Sequence, residues 1–458
     1  MSKKSTVVIA KTIGSARLGE WINPQSGFTT TTGHIAPFCK GPESTEAMLR
    51  NVQMLNPDQP IEYSGFGMDA IIRKAISVQT EIYYRDSSDP FTELASHPGI
   101  VSYPPEVIWL ANAQGLNAFK KSLVENLPKI RGTGYSKDDA VAIADRICLM
   151  AKNGAGSLSF WEHLTDEFNG ESYGSILVNF QAYTASRLKC RGLAGLVPLI
   201  DERHPKSIEM TYQFNEATAT ELENLRNEGA PAPEFYFFTL NMNSSMFKNS
   251  NMSDELNKTI EMVNFALRNN KELFDGLHVS IRGLDRISDD PGRIDVVYKF
   301  IARLREICTA VLIPFWFSKS GISGLSFLDK GVDYCSSSLN MSLGDVYVGG
   351  GGAVNSENIY GKVYHPTLQK RFTVKEVVRT IEKRGTMPEI RGVNFLLRDA
   401  DLVSSQRYRV NFGKPYNLAV ICDLSDKWRN LVVTGEEESG RIYLSRCPEP
   451  IFRSWGKW

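Results

Sequence analysis

Long hydrophobic runs are missing from this sequence. No window approaches the roughly 20 apolar residues needed to cross a bilayer. Ser2-Lys3-Lys4 is followed by only a short apolar run, residues 7–10, so neither a membrane partner nor a secretory leader is expected. Net charge is missing as well, because 52 Lys+Arg balance 52 Asp+Glu. That balance argues against non-specific wrapping of nucleic acid, which depends on neutralising phosphates, though it leaves room for a local basic patch. The seven cysteines, Cys39, Cys148, Cys190, Cys308, Cys335, Cys422 and Cys447, contain no CxxC pair and are odd in number. Isolated reduced thiols in a cytoplasmic protein are the expectation, with no zinc site built from cysteines alone.

Several catalytic signatures are absent too. His34, His97, His163 and His365 are scattered, with no HxH or HExxH. There is no GxGxxG and no GKS or GKT, which excludes the Rossmann and Walker signatures. No GxSxG follows a credible strand, which disfavours serine-hydrolase chemistry. No metal site is expected, and no cofactor can be named.

What is present is globular: 42% hydrophobic and 23% charged residues over 458 positions. That length exceeds one ordinary core and predicts two domains, or one barrel with a large extension. The most regular stretch is residues 274–352. It reads as a strand at 277–281, a polar turn Arg282-Gly283-Leu284-Asp285, a helix from Pro291 to about Cys308 and a strand at 310–317. A further strand at 331–335 leads into Ser336-Ser337-Ser338, and the stretch ends with residues 346–348 and four glycines, Gly349 to Gly352. Strands alternating with amphipathic helices predict a parallel sheet.

Upstream, residues 116–130 carry Phe119, Leu123 and Leu127 at helical spacing. Ser136-Lys137-Asp138-Asp139 has the form of an N-cap with an acid three residues on. Strands are expected at 157–161, 175–180, 196–200 and 234–240. Helices are expected at 162–168, 183–190 and 216–228, the last ended by Gly229, and after the cap residue Ser253. Thr373-Val374-Lys375-Glu376 reads as another capping box. Beyond residue 385, short strands separated by turns suggest a small antiparallel β appendage, and the final residues 452–458 include two tryptophans. The expected organisation is α/β: a mixed N-terminal region (1–155), a TIM-like β/α barrel (156–385), and a β-rich appendage (386–458). An open doubly wound sheet is the second choice.

In a parallel β/α domain, ligands bind at the carboxyl ends of the strands. That rule selects Asp201, Glu202, Arg203 and His204 in one loop, Asn241 after another strand, and Arg282 with Asp285. It also selects Ser336 and the loop Gly349, Gly350, Gly351 and Gly352. A carboxylate beside an imidazole can do acid/base work, although four polar residues in a row also make an ordinary solvated loop. Glycine amides can cradle an anion, and a glycine run can equally be a surface turn. His278 and Ser280 share one strand face; on a barrel interior His278 is expected to be a satisfied core histidine rather than a ligand.

Residues 325–333, with Cys335 and the serines after it, resemble the late strands of tRNA-guanine transglycosylase-type barrels, where a Gly-x-Asp segment follows a short helix. The resemblance covers fewer than about 60 residues of a kind many barrels share. The chain lacks that family's cysteine-rich zinc motif. The resemblance implies base-exchange chemistry as an alternative.

The leading expectation is an enzyme acting on an anionic, phosphorylated or nucleotide-type ligand. Arg282 and the glycine amides would hold the anion, and Asp285 or Glu202 would serve as acid or base. Asp201 paired with Asp285 would suit glycosyl transfer or hydrolysis. The competing class is a non-enzymatic assembly or nucleic-acid-associated protein of viral or mobile-element type. In that case the aromatic tail would engage a second copy or a protein partner.

Overall fold

The computed structural model describes residues 35–36, 38–39, 61–65, 99–103, 113–130, 132–154, 158–187, 189–248, 251–287, 291–320, 333–336, 362–365 and 370–373. In chain order the elements are β1 (Ile35–Ala36), β2 (Phe38–Cys39), β3 (Ile61–Ser64), β4 (Gly99–Ser102), α1 (Ala113–Asn126), α2 (Lys137–Gly154) and α3 (Leu158–Glu162). The hairpin β5 (Glu167–Phe168) and β6 (Glu171–Ser172) leads into α4 (Tyr173–Arg187), β7 (Gly192–Ala194) and β8 (Leu199–Ile200). Then follow α5 (Lys206–Asn227), β9 (Phe235–Asn243), α6 (Asp254–Asn269), β10 (Gly276–Arg282), α7 (Leu284–Ile287), α8 (Pro291–Val311), β11 (Phe315–Ser318) and β12 (Tyr334–Ser336). A separate antiparallel pair is formed by β13 (Lys362–His365) and β14 (Lys370–Thr373).

Ten strands make one sheet in the order β1-β12-β11-β10-β9-β7-β4-β3-β2, with β8 also against β9, and every pairing in it is parallel. Parallel neighbours need long crossovers; α5, α6 and α8 supply three of them. Strand alternation divides the side chains between two faces. Val101, Leu193, Phe238, Leu240, Val279, Ile281 and Phe317 join the helices in one large apolar core. Ile100, Ala194, Phe237 and Trp316 form a separate cluster on the other face. The sheet is curled, because residues on strands far apart in its order still meet on that second face: Glu62 of β3 accepts from Trp316 and Ser318 of β11.

Local chemistry explains the element ends. Ser136 and Asp139 form the expected capping box: Ser136 Oγ accepts from the Asp139 amide at 3.1 Å, and Asp139 Oδ2 accepts from the Ser136 amide at 2.9 Å. Ser253 Oγ caps α6 through the Leu256 amide. Gly229, at φ +71°, ends the turn after α5 in a left-handed conformation that favours glycine. Gly276 leaves room for the Phe237 ring, since a Cβ there would lie 2.5 Å from it.

Two aspartates repeat one device at strand entries. Asp275 Oδ2 accepts from the Tyr236 amide while the Asp275 amide donates to Tyr236 O. Asp333 does the same with Phe315. Each carboxylate thus extends the ladder by one pair and pins the register of adjacent strands. Burial, partly offset by the Tyr236 amide, holds the Asp275 carboxyl above its ordinary pKa. Asp275→Ala is expected to cost about 1–3 kcal/mol, the usual penalty for orphaning a buried amide; urea denaturation measures it, and an unchanged midpoint would contradict this role.

The structure corrects several expectations. Residues 175–180 are not a strand but the first half of α4, which buries Ile176, Leu177, Val178, Phe180, Ala182 and Ala185. An apolar run of that length cannot distinguish a strand from a helix buried on most sides. Residues 158–161, where a strand was expected, belong to the helix α3, and residues 163–165 form a single 3₁₀ turn. The strand expected at 310–317 is shortened to Phe315–Ser318, because α8 runs on through Val311. The strand expected at 196–200 shrinks to β8, and β7, hidden by its two small residues, is the longer strand. Thr373 ends β14. The elements amount to a curled parallel sheet with helices rather than a complete, regular barrel of eight βα units. The appendage, the aromatic tail and Gly349 to Gly352 lie outside the described residues.

Candidate functional site

The inner face of the sheet changes character along the strands. Toward their amino ends it is apolar, with Ile100, Ala194, Phe237 and Trp316. The same face also carries Glu62, level with Ile100, and His278, level with Trp316, and then Ser102, Asn241, Ser280 and Ser318 toward the carboxyl ends, all at most 1% exposed. Register explains why they converge: His278 lies opposite Thr239 and Trp316, and Ser280 lies opposite Asn241 and Ser318.

Glu62 is the centre of this cluster. Its Oε1 accepts from Ser102 Oγ at 2.6 Å and Ser318 Oγ at 2.5 Å, and it lies 3.2 Å from His278 Nε2. Its Oε2 accepts from Trp316 Nε1 at 3.1 Å. Burial alone would push the carboxyl pKa up. His278, through its hydrogen bond and its charge, together with the two serine hydroxyls, outweighs burial and holds it at about 2. A buried carboxylate is tolerated only with such a set of partners. His278 is fully buried, and its Nδ1 has no hydrogen-bond partner among the described residues. A buried unpaired polar atom costs about 1–3 kcal/mol, so its presence calls for a use. Next to this cluster, Ser280 Oγ donates to Asn241 Oδ1 at 2.7 Å and Asn241 Nδ2 donates to Tyr103 O at 3.0 Å. Lys319, 2% exposed, follows β11 with φ +51°, a left-handed backbone uncommon for a non-glycine residue.

The sequence-derived candidates divide between this cluster and a neighbouring rim. Asn241 belongs to the inner face, and half-buried Arg282 ends β10 opposite Asn243. Asp201 sits just beyond β8, 4% exposed. Its carboxylate accepts from the Arg203 amide, the Arg203 guanidinium and Asn243 Nδ2 at 2.7 Å. Burial would raise its pKa, but Arg203 and Asn243 together hold it below its ordinary value. The loop Asp201-Glu202-Arg203-His204 is thus knotted on itself: the His204 amide donates to Asp201 O, and Glu202 pairs with Lys248. Asp285 lies in α7, and Ser336 lies in β12 opposite Ala36. His278 is the core histidine the sequence predicts, but among the described residues only one of its ring nitrogens has a hydrogen-bond partner.

Glu62 and Ser102 were not singled out by sequence reasoning. For Glu62 the signal is weak but real: Ile61-Glu62-Tyr63-Ser64 places polar residues at alternate positions, as do His278, Ser280 and Arg282, whereas Gly99-Ile100-Val101-Ser102 carries a single polar residue. The spacing Gly170-Glu171-Ser172-Tyr173-Gly174 formally matches GxSxG, but Ser172 Oγ accepts from the Ser175 amide in the first turn of α4. Among the described residues no three His, Cys, Asp or Glu side chains gather to hold a metal ion, and no helix is long and apolar enough to cross a membrane. No family model matches the chain, and no curated protein matches its sequence.

Proposed function

We propose that the curled sheet closes into a β/α barrel and that the chain is an enzyme acting by acid/base chemistry on its polar inner face. The ligand would be anionic, of phosphorylated or nucleotide type. Closure is supported by the two strands at the ends of the sheet order being neighbours in sequence: β1, Ile35–Ala36, lies against β12 and β2, Phe38–Cys39, lies against β3.

The observation that carries the function is Glu62. An ionised carboxylate with four protein contacts from three other strands, one of them an imidazole with a vacant nitrogen, is costly to build into a core. Such perturbed, coupled groups concentrate at reaction centres. Its partners Ser102 and Ser318 are the last residues of their strands, the ends at which β/α folds bind ligands. Lys319 and Arg282 near those ends favour an anion. In this reading the acid/base role passes from Asp201 and Glu202 to the Glu62–His278 pair, with the imidazole as the group that exchanges the proton, and Asp201 and Arg203 shape the rim. The glycine loop and Asp285 keep their proposed anion-holding and acid/base roles.

A thermal-shift screen against inorganic phosphate, nucleotides, sugar phosphates and nucleobases tests this. A ligand that binds only the folded chain raises its melting temperature. The expected result is a rise with one phosphorylated class that disappears in Arg282→Ala. No rise with any class, or an equal rise in that variant, would count against an anion site at these strand ends.

A further inference from the structure

We infer that Glu62 is a positioning residue that holds His278 as the Nε2–H tautomer, and that Nδ1 of His278 is the atom that exchanges a proton with the ligand. This rests on the reading of the inner face as the reaction centre.

Hydrogen-bond complementarity leads to the assignment. The indole of Trp316 can only donate, so Oε2 of Glu62 is an acceptor. Both serine hydroxyls donate to Oε1. A carboxylate already accepting on both oxygens requires the remaining neighbour, His278 Nε2 at 3.2 Å, to bring a proton as well. The depressed pKa of Glu62 agrees with this. With Nε2 committed as a donor, only Nδ1 can gain or lose a proton, and it is the nitrogen without a hydrogen-bond partner among the described residues. A carboxylate on one imidazole nitrogen fixes the ring and stabilises the imidazolium formed when the other nitrogen is protonated.

The proton step balances without a further reactant. A ligand N–H or O–H gives its proton to Nδ1. The N–H bond on the ring forms, the ligand bond breaks, and the electron pair stays on the ligand atom. The resulting imidazolium faces the Glu62 carboxylate. The site therefore takes a ligand whose reacting atom carries an exchangeable proton. Among the described residues, the other titratable groups at the inward positions and strand ends are Tyr334 of β12, Arg282 further along β10 and Lys319 beyond β11; the inward positions of β4, β7 and β9 carry none, and Tyr63, Tyr236 and Cys335 belong to the helix-side core.

Long-range proton–nitrogen NMR on the full chain labelled with nitrogen-15 histidine tests the assignment without any ligand, and His278→Asn identifies the signals. The expected result is that the neutral ring carries its proton on Nε2 and leaves Nδ1 bare. In Glu62→Gln the two tautomers should mix, a change that a merely structural carboxylate would not cause. Nδ1 protonated with Nε2 bare, both nitrogens protonated throughout, or an unchanged tautomer in Glu62→Gln would each overturn the inference. If that variant does not fold, the wild-type spectrum decides alone. The expected tautomer in a chain that binds nothing in the thermal screen would leave this assignment standing and remove the anionic ligand.

Discussion

Glu62→Ala is expected to destabilise the chain by about 3–5 kcal/mol, the cost of breaking a buried, charge-paired network by removing one partner. The substitution strands Trp316 Nε1, His278 Nε2 and the hydroxyls of Ser102 and Ser318 in a region with no solvent exposure. The same carboxylate makes the fold acid-sensitive. Its folded pKa of about 2 lies below the ordinary 4.5. A depressed folded pKa gives stability that is complete above the unfolded value and lost as pH falls through the folded one. The loss should therefore run from about pH 4.5 down to about pH 2, and amount to roughly 3 kcal/mol. Urea denaturation across that range measures it. Glu62→Gln, which cannot ionise, should flatten this part of the profile. A variant with the same acid slope as wild type would show that other carboxylates govern it.

Asn215→Leu is expected to cost about 4 kcal/mol, because two buried backbone groups would each lose a partner at about 1–3 kcal/mol. β9 pairs with β7 at residues 235–237 and with β8 at 241–242, leaving a gap at Thr239. Asn215, fully buried on α5, fills that gap like a piece of strand. Its Oδ1 accepts from the Thr239 amide at 2.8 Å, and its Nδ2 donates to Thr239 O at 3.0 Å. It also takes the Tyr236 hydroxyl and donates to Thr211 O, so all four of its hydrogen-bonding positions are used. Leucine has nearly the same volume and none of these groups. Chemical denaturation gives the cost, and a loss below about 1 kcal/mol would mean that Thr239 finds other partners.

How far the fold could be read from the sequence depended on periodicity. α1, α2, α6 and α8 carried helical patterns, α2 and α6 with capping residues as well, and β9 and β10 carried β-branched and aromatic residues, so each was placed within a few residues. α4 was misread because its buried faces leave no polar stripe for a period to show. β7 was missed because Gly192-Leu193-Ala194 is short and two-thirds small; those small side chains suit the crowded inner face, where Gly192 lies under the Phe237 ring. The site was legible only as a region. The strand-end rule found Asn241 and Arg282, but it favoured exposed-looking charge in residues 201–204, where the structure shows a self-satisfied loop. Glu62 and His278 lie 216 residues apart. Nothing local in either stretch says that the fold brings them together.

The central claim is that ligand enters the polar inner face. Trp316 reports on it directly, because its indole N–H is bonded to Glu62 and its ring packs on Tyr334 at 4.9 Å. Trp161, packed against Phe160 and Phe214 in the helical layer, serves as an internal control. The chain has seven tryptophans, so its indole N–H signals can be followed in a simple proton–nitrogen spectrum, with Trp316→Phe and Trp161→Phe for identification. On titration with the ligand that raises the melting temperature, the Trp316 signal should move and the Trp161 signal should not. A ligand that binds while leaving Trp316 unmoved would place the site elsewhere and contradict the claim.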